Sequence, residues 1–127
     1  MAKKRVLGVI GLGHVGAHVA YALAVQGIAD ELILVDKNER KLASEIQDLR
    51  DAAAYLPHRV SFRAGDFADL GECDVIVNSV GKIELLRESH DRTTEMDFTI
   101  PAVRGFAAKI RESGFDGVVI NITNPCD

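Results

Sequence analysis

Cysteine is scarce in this chain: Cys73 and Cys126 are the two among 127 residues. Neither falls in a CxxC or Cys/His spacing, so neither a disulfide framework nor a metal cluster is indicated. Positive charge is not in excess either. Fifteen Lys and Arg stand against 19 Asp and Glu, a net charge of −4, with no dense basic patch, which leaves nucleic-acid binding without an electrostatic footprint. Long apolar runs are missing, and 47% hydrophobic with 27% charged residues excludes a membrane-spanning or a disordered chain. There is no internal repeat, low-complexity tract or interdomain linker. Lys3-Lys4-Arg5 ahead of apolar residues has the outline of a secretion signal. The run is soon broken by glycines and His14, however, and its residues are all needed for a first strand, so a cytoplasmic protein is expected. What is left is one globular domain, long enough to bury about 65–70% of its unfolded surface.

The glycines are placed rather than plentiful. Arg5 to Ile10 reads as a buried strand, Gly11-Leu12-Gly13-His14-Val15-Gly16 follows, and Val15 to Gly27 reads as a helix. Glu31 to Val35 is a second apolar strand, ending in Asp36, 20 residues past Gly16. Strand, glycine turn, helix, strand and carboxylate in this register form a dinucleotide-binding fingerprint. Gly11 would take the tight turn off the strand, where a side chain would be strained. At Gly13 a missing side chain lets a diphosphate approach the main chain, and at Gly16 it lets helix and strand pack closely. The first helical turn, with His14 and Val15, presents unpaired N–H groups and the positive end of its dipole to two phosphates. Asp36 would accept from the adenosine ribose hydroxyls and repel a 2′-phosphate, favouring NAD over NADP, while Lys37 beside it weakens that preference.

The alternation continues. Glu39 to Leu56 has helical spacing through Leu42, Ala43, Ile46, Leu49, Ala53 and Leu56, stopped by Pro57. Val60 to Ala64 alternates as an edge strand does, Phe67 to Leu70 fits one helical turn, and Asp74 to Val80 suits a strand covered on both faces. Gly81 to Asp91 is a polar loop. Arg92 to Ser113 returns to helical spacing through Met96, Ile100, Val103, Phe106, Ala107 and Ile110, with Pro101 threatening a kink, and Val118 to Ile122 is the last strand. Five strands with helical crossovers predict an α/β fold, a Rossmann-type doubly wound parallel sheet of order 3-2-1-4-5. Ligands in such sheets sit beyond the carboxyl ends of the strands. Three polar strand ends converge there: Gly11 to Gly16, Asn78 to Lys82 and Asn121 to Asn124.

With those ends in view, the chain resembles the amino-terminal half of the L-lactate and malate dehydrogenase family, and within it the L-2-hydroxyisocaproate dehydrogenase branch. The resemblance spans essentially the whole chain. It rests on the glycine turn, Asp36, Asp48-Leu49, the Asp74-to-Gly81 strand and turn, and Arg92. Further along it takes in the Glu112-to-Gly117 turn and Asn124-Pro125-Cys126-Asp127. It implies that Arg92 is the loop arginine that closes over substrate and polarises its ketone, a task suited to a permanently charged donor. Asn124 matches the asparagine near the nicotinamide ribose and the substrate oxygen, although asparagine before proline is also a common turn residue. Asn78, Val80 and Gly81 match the turn that runs along the cofactor, and Val80 would serve equally as plain core. Where the common pattern has a glutamine or arginine that sets specificity, this loop has Leu85 and Leu86, which points to an aliphatic 2-hydroxy or 2-oxo acid as small-molecule partner. Arg87 lies close by and blurs that register.

The resemblance also carries an absence. The family's proton-donating histidine, its aspartate partner and the carboxylate-binding arginine belong to a carboxyl-terminal substrate and catalytic domain not found in residues 1–127. His14, His18, His58 and His90 do not replace it. The expected function is therefore an NAD-binding domain of a 2-hydroxy acid dehydrogenase, inactive on its own, with homo-oligomerisation implied by the family. Two other readings remain open: a free-standing NAD(H)-sensing module, against which the Arg92 loop speaks, and an NAD-dependent glycosidase, which is expected to use a metal.

Overall fold

A computed structural model describes residues 2–81 and 91–124, the Arg92 side chain excepted. The chain begins with β1 (Val6–Ile10) and α1 (His14–Val25), followed by β2 (Glu31–Val35) and α2 (Glu39–Ala53). Next come β3 (Ser61–Ala64), a 3-10 turn (Asp69–Glu72) and β4 (Val75–Asn78). A second 3-10 turn (Arg92–Glu95) leads into α3 (Met96–Glu112) and β5 (Val118–Asn121). The strands form a single parallel sheet in the order β3-β2-β1-β4-β5, as the alternation predicted. Among the described residues no helix is long and apolar enough to cross a membrane.

Period-two alternation splits the core into two layers. Leu7 and Val9 of β1 and Leu32 and Leu34 of β2 face Ala20 and Ala24 of α1 and Leu42, Ile46 and Leu49 of α2. Val6 and Ile10, with Ile33 and Val35, face the other way onto Leu70, Cys73, Ile76 and Phe106. Both faces of the central strands are thus covered, which is why their sequences are continuously apolar. Leu49 is core, and Ala53 and Leu56 pack against it, so the apolar face of α2 is accounted for inside the molecule. Cys73 is buried, and desolvation pushes its thiol up to about 12. Such a thiol carries almost no thiolate at neutral pH.

Boundaries move where short polar side chains intervene. The turn predicted at Phe67 begins instead at Asp69, because the Asp66 carboxylate accepts from the N–H groups of Ala68 and Asp69 at 3.0 and 3.2 Å. The helix predicted from Arg92 opens as a 3-10 turn, with Asp91 accepting from the Thr93 N–H at 2.9 Å. The α-helix then runs through Pro101. Thr99, Val103, Phe106 and Ile110 form its inward ridge, leaving Met96, Ile100 and Ala107 outward. α2 ends three residues before Leu56, in a tightened turn ahead of Pro57. β5 forms where the last strand was predicted, but among the described residues it is left bare. Its apolar residues Val118, Val119 and Ile120 are 61%, 51% and 48% exposed, because a parallel edge strand with neither face covered has nowhere to hide them.

Candidate functional site

The polypeptide leaves β1 through Gly11, whose φ of +84° is the left-handed region that glycine alone enters at little cost. The space is closed as well: a Cβ at Gly11 would stand 3.0 Å from main-chain atoms of Val80. At Gly16 a Cβ would lie 1.8 Å from the Gly11 carbonyl oxygen, so α1 can approach β1 this closely only without a side chain there. Gly13 is the opposite case. A Cβ would meet nothing within 4 Å, and its φ of −67° is open to any residue. Its bareness therefore serves neither backbone strain nor packing, and it leaves space in front of the helix end.

That end is uncapped. Among the described residues no side-chain cap hydrogen bond is made at the start of α1, and its first turn holds no acidic residue. By contrast α2 is capped by Asn38, whose side chain accepts from the Lys41 N–H at 3.0 Å, and carries Glu39 in its first turn. A helix N-terminus left electropositive and facing a void is the arrangement that receives an anion.

Neighbouring strand ends brace this corner. Asp36 accepts from the Leu12 N–H with one carboxylate oxygen and from the Asn38 N–H with the other, both at 2.8 Å. The Ser79 hydroxyl, at the end of β4, lies 2.7 Å from the Gly11 carbonyl oxygen and 2.9 Å from that of Ile10 and shares its proton between them. Asn78, 4% exposed, donates to the Asn121 side chain at 2.7 Å and accepts from the Val80 N–H at 3.3 Å. The Thr123 hydroxyl donates to the Asn78 carbonyl at 3.3 Å. The ends of β1, β2, β4 and β5 are thereby held in one frame.

The frame opens onto a cleft of about 690 Å³. Gly11, Gly13, His14 and Val15 line it from the glycine turn, Asp36 and Lys37 from β2, Val80 and Gly81 from β4, and Asn124 from β5. Gly16 lies behind it, in the helix–strand contact. The far wall is aromatic. Phe67 and Phe106 stack with centroids 5.3 Å apart, Lys109 reaches over Phe67, and Lys37 sits 5.1 Å above the Phe98 ring. Phe106 lies on the inward face of α3 as its helical spacing predicts, whereas Phe67 precedes the 3-10 turn it was expected to open, and both rings line the cleft wall. Ser79 passed without a role, since a serine at a strand end announces no partner. Leu85, Leu86 and Arg87 lie outside the described residues, as do Cys126 and the Arg92 side chain. The Arg92 backbone opens the turn that follows Asp91, whose carboxyl is held below the usual carboxylate range by the Thr93 N–H and hydroxyl. Among the described residues no group of three or more His, Cys, Asp and Glu is placed to hold a metal ion.

A family profile described as the lactate/malate dehydrogenase NAD-binding domain matches residues 5–127. The chain belongs to the lactate/malate dehydrogenase family. Across its whole length it is 36% identical to an L-lactate dehydrogenase of Fusobacterium nucleatum, of which it covers 39%. The fold superposes, at TM-score 0.86 and 30% identity, on a lactate dehydrogenase from a Medee basin deep-sea metagenome library, over 99% of this chain and 40% of the other. With the minor L-lactate dehydrogenase of Enterococcus mundtii, in its ligands-bound form, the TM-score is 0.88 at 29% identity, over 98% and 39% of the respective chains. The chain thus spans about 40% of the length of the relatives it matches. NAD is the cofactor of this domain family, and the cleft fits it: the void before Gly13, the uncapped α1 and the acid closing β2 suit a diphosphate and a ribose in sequence.

Proposed function

We propose that this domain serves an L-2-hydroxy acid dehydrogenase acting on an aliphatic 2-hydroxy or 2-oxo acid. The observation that carries the reading is the pairing of an open Gly13 with an uncapped, acid-free α1. Gly13, His14 and Val15 would hold the diphosphate by main-chain N–H groups and the helix dipole, on a corner that Gly11 and Gly16 shape, since the Gly11 N–H is spent on the Val35 carbonyl and Gly16 lies in the helix–strand contact. Asp36 has lone pairs beyond those facing Leu12 and Asn38, and these would accept from the ribose hydroxyls. Val80 and Gly81 would run along the cofactor, with Asn124 at its nicotinamide end. When bound, NAD supplies a hydride acceptor or donor for the substrate's second carbon.

Arg92 is assigned to the substrate ketone, where a guanidinium stabilises developing negative charge. Leu85 and Leu86 are assigned to an aliphatic substrate tail, which places the protein beside L-2-hydroxyisocaproate dehydrogenases within the family. A general acid is required for turnover, and none of the four histidines is assigned to it. Residues 1–127 alone are therefore expected to bind NAD without reducing a 2-oxo acid, and a homo-oligomer is part of the same reading. Two measurements test it. Calorimetry with NADH should give a binding heat that Asp36→Ala removes. The full-length gene product should reduce 2-oxoisocaproate with a higher kcat/KM than oxaloacetate; the reverse order would discard the substrate assignment.

A further inference from the structure

His14 is the first residue of α1, exposed, and on the wall of the cleft. It stands where the helix has neither a capping side chain nor an acid to neutralise its positive end. The second histidine of the helix is turned away from this role: the His18 Nδ1–H donates back to the His14 carbonyl, one turn along α1. His58 packs over Gly27, away from the cleft. Histidine is the side chain whose charge changes between about pH 5 and 8. Among the described residues His14 is the histidine that lines this cleft.

The surrounding charges come from four elements. The end of β2 and the start of α2 contribute Asp36, Lys37 and Lys41, and the α3 side contributes Glu95 and Lys109. On α1 itself there is His18. The β1–α1 turn and the end of β4, Ser79 to Gly81, contribute none. Both Asp36 oxygens face main-chain N–H groups, and the Lys37 and Lys109 ammonium groups lie over the rings of Phe98 and Phe67.

We infer that His14 is a proton-linked ligand for the cofactor diphosphate, so that this domain binds NAD more tightly as pH falls. The inference rests on the NAD reading of the cleft. An imidazolium at the helix end adds a charge-assisted hydrogen bond to the anion, which neutral imidazole supplies only weakly. By linkage the bound diphosphate favours the protonated ring in return. Affinity is then greatest where His14 is charged and declines as pH rises through the imidazole range, with uptake of a fraction of a proton on binding.

Calorimetric titration of the 127-residue chain with NAD⁺ between about pH 6 and 8.5 tests this, in buffers of different ionisation enthalpy to count protons. Wild-type affinity should fall roughly fivefold across the range, the worth of a partly exposed charged contact. His14→Gln should bind weakly with no slope, His14→Lys tightly with no slope, and His18→Gln should follow wild type. A wild type without slope, or a slope that survives in His14→Gln, overturns the inference while leaving the cofactor reading intact. No binding by any protein at any pH sinks both. Far-UV circular dichroism of each variant shows that the fold is kept, as expected for an exposed helix-start residue.

Discussion

The Asp36 carboxylate and the Leu12 main-chain N–H are joined by a 2.8 Å hydrogen bond that ties the end of β2 to the glycine turn after β1. The acid thus has a structural task before any ribose arrives. Asp36→Ala should lower stability by about 1–3 kcal/mol through two lost charge-assisted bonds, and should also abolish NADH binding. Asp36→Asn retains one acceptor oxygen, so it should recover part of the stability. Urea unfolding read alongside NADH titration separates the two effects. Full NADH affinity in Asp36→Ala would show that the carboxylate is only a brace.

Two glycines of the same turn should fail in different ways. Gly16→Ala sets a methyl 1.8 Å from the Gly11 carbonyl oxygen. Backbone must move, so a loss of more than about 2 kcal/mol is expected. Gly13→Ala introduces its methyl into open space at an ordinary φ. Its melting temperature should match wild type while NADH affinity falls at least roughly tenfold, because the methyl occupies ground the diphosphate needs. Paired melts and titrations check both halves. Equal NADH affinity in wild type and Gly13→Ala would remove the diphosphate from this corner.

At the opposite end of the sheet, Arg5 donates to Asp30 through its main-chain N–H and its guanidinium, at 2.7 to 3.1 Å. Those bonds hold the Asp30 carboxyl down to about 2. Because the folded value lies below the unfolded one, the stabilisation is present above the ordinary aspartate range and is lost as pH falls towards 2. Asp30→Asn should therefore flatten the acid limb of a stability-versus-pH curve between about pH 4 and 2 and change little at pH 7 beyond a constant offset. An acid limb identical to wild type would mean that other carboxylates, such as Asp74 with its Lys3 partner, carry it.

Parallel strands buried on both faces announce themselves as apolar runs, and the order 3-2-1-4-5 follows from their alternation with amphipathic helices. Positions with no side chain were similarly readable, since Gly11 and Gly16 occur where chain geometry demands them. Less legible were features that depend on partners far along the chain. Asp66 and Asp91 shift element starts by bonding nearby N–H groups, which a periodicity of apolar residues does not register. Phe67 and Phe106 are 39 positions apart in sequence and become one aromatic wall only through the tertiary fold. The Ser79 bonds to Ile10 and Gly11 are likewise invisible along the chain, and the loop carrying Leu85 and Leu86 lies outside the described residues.

The last strand shows what a local pattern leaves out, because a run such as Val118-Val119-Ile120 reads the same whether covered or bare. Here the N–H of Val118 donates to Asp74 at 3.1 Å and that of Ile122 to Asn78 at 3.0 Å. In a parallel pair, residues alternate the direction of their main-chain groups, so those of Val119 point to the open edge. Exposed apolar side chains along an unpaired edge are a template for association. The 127-residue chain should consequently self-associate as its concentration rises. Val119→Lys should weaken that association by placing a charge on the edge, and since Val119 is 51% exposed the melting temperature should shift little. Sedimentation velocity over a concentration series, for wild type and variant, is the check. If wild type remains monomeric throughout, or Val119→Lys associates as readily, this edge is not the adhesive surface.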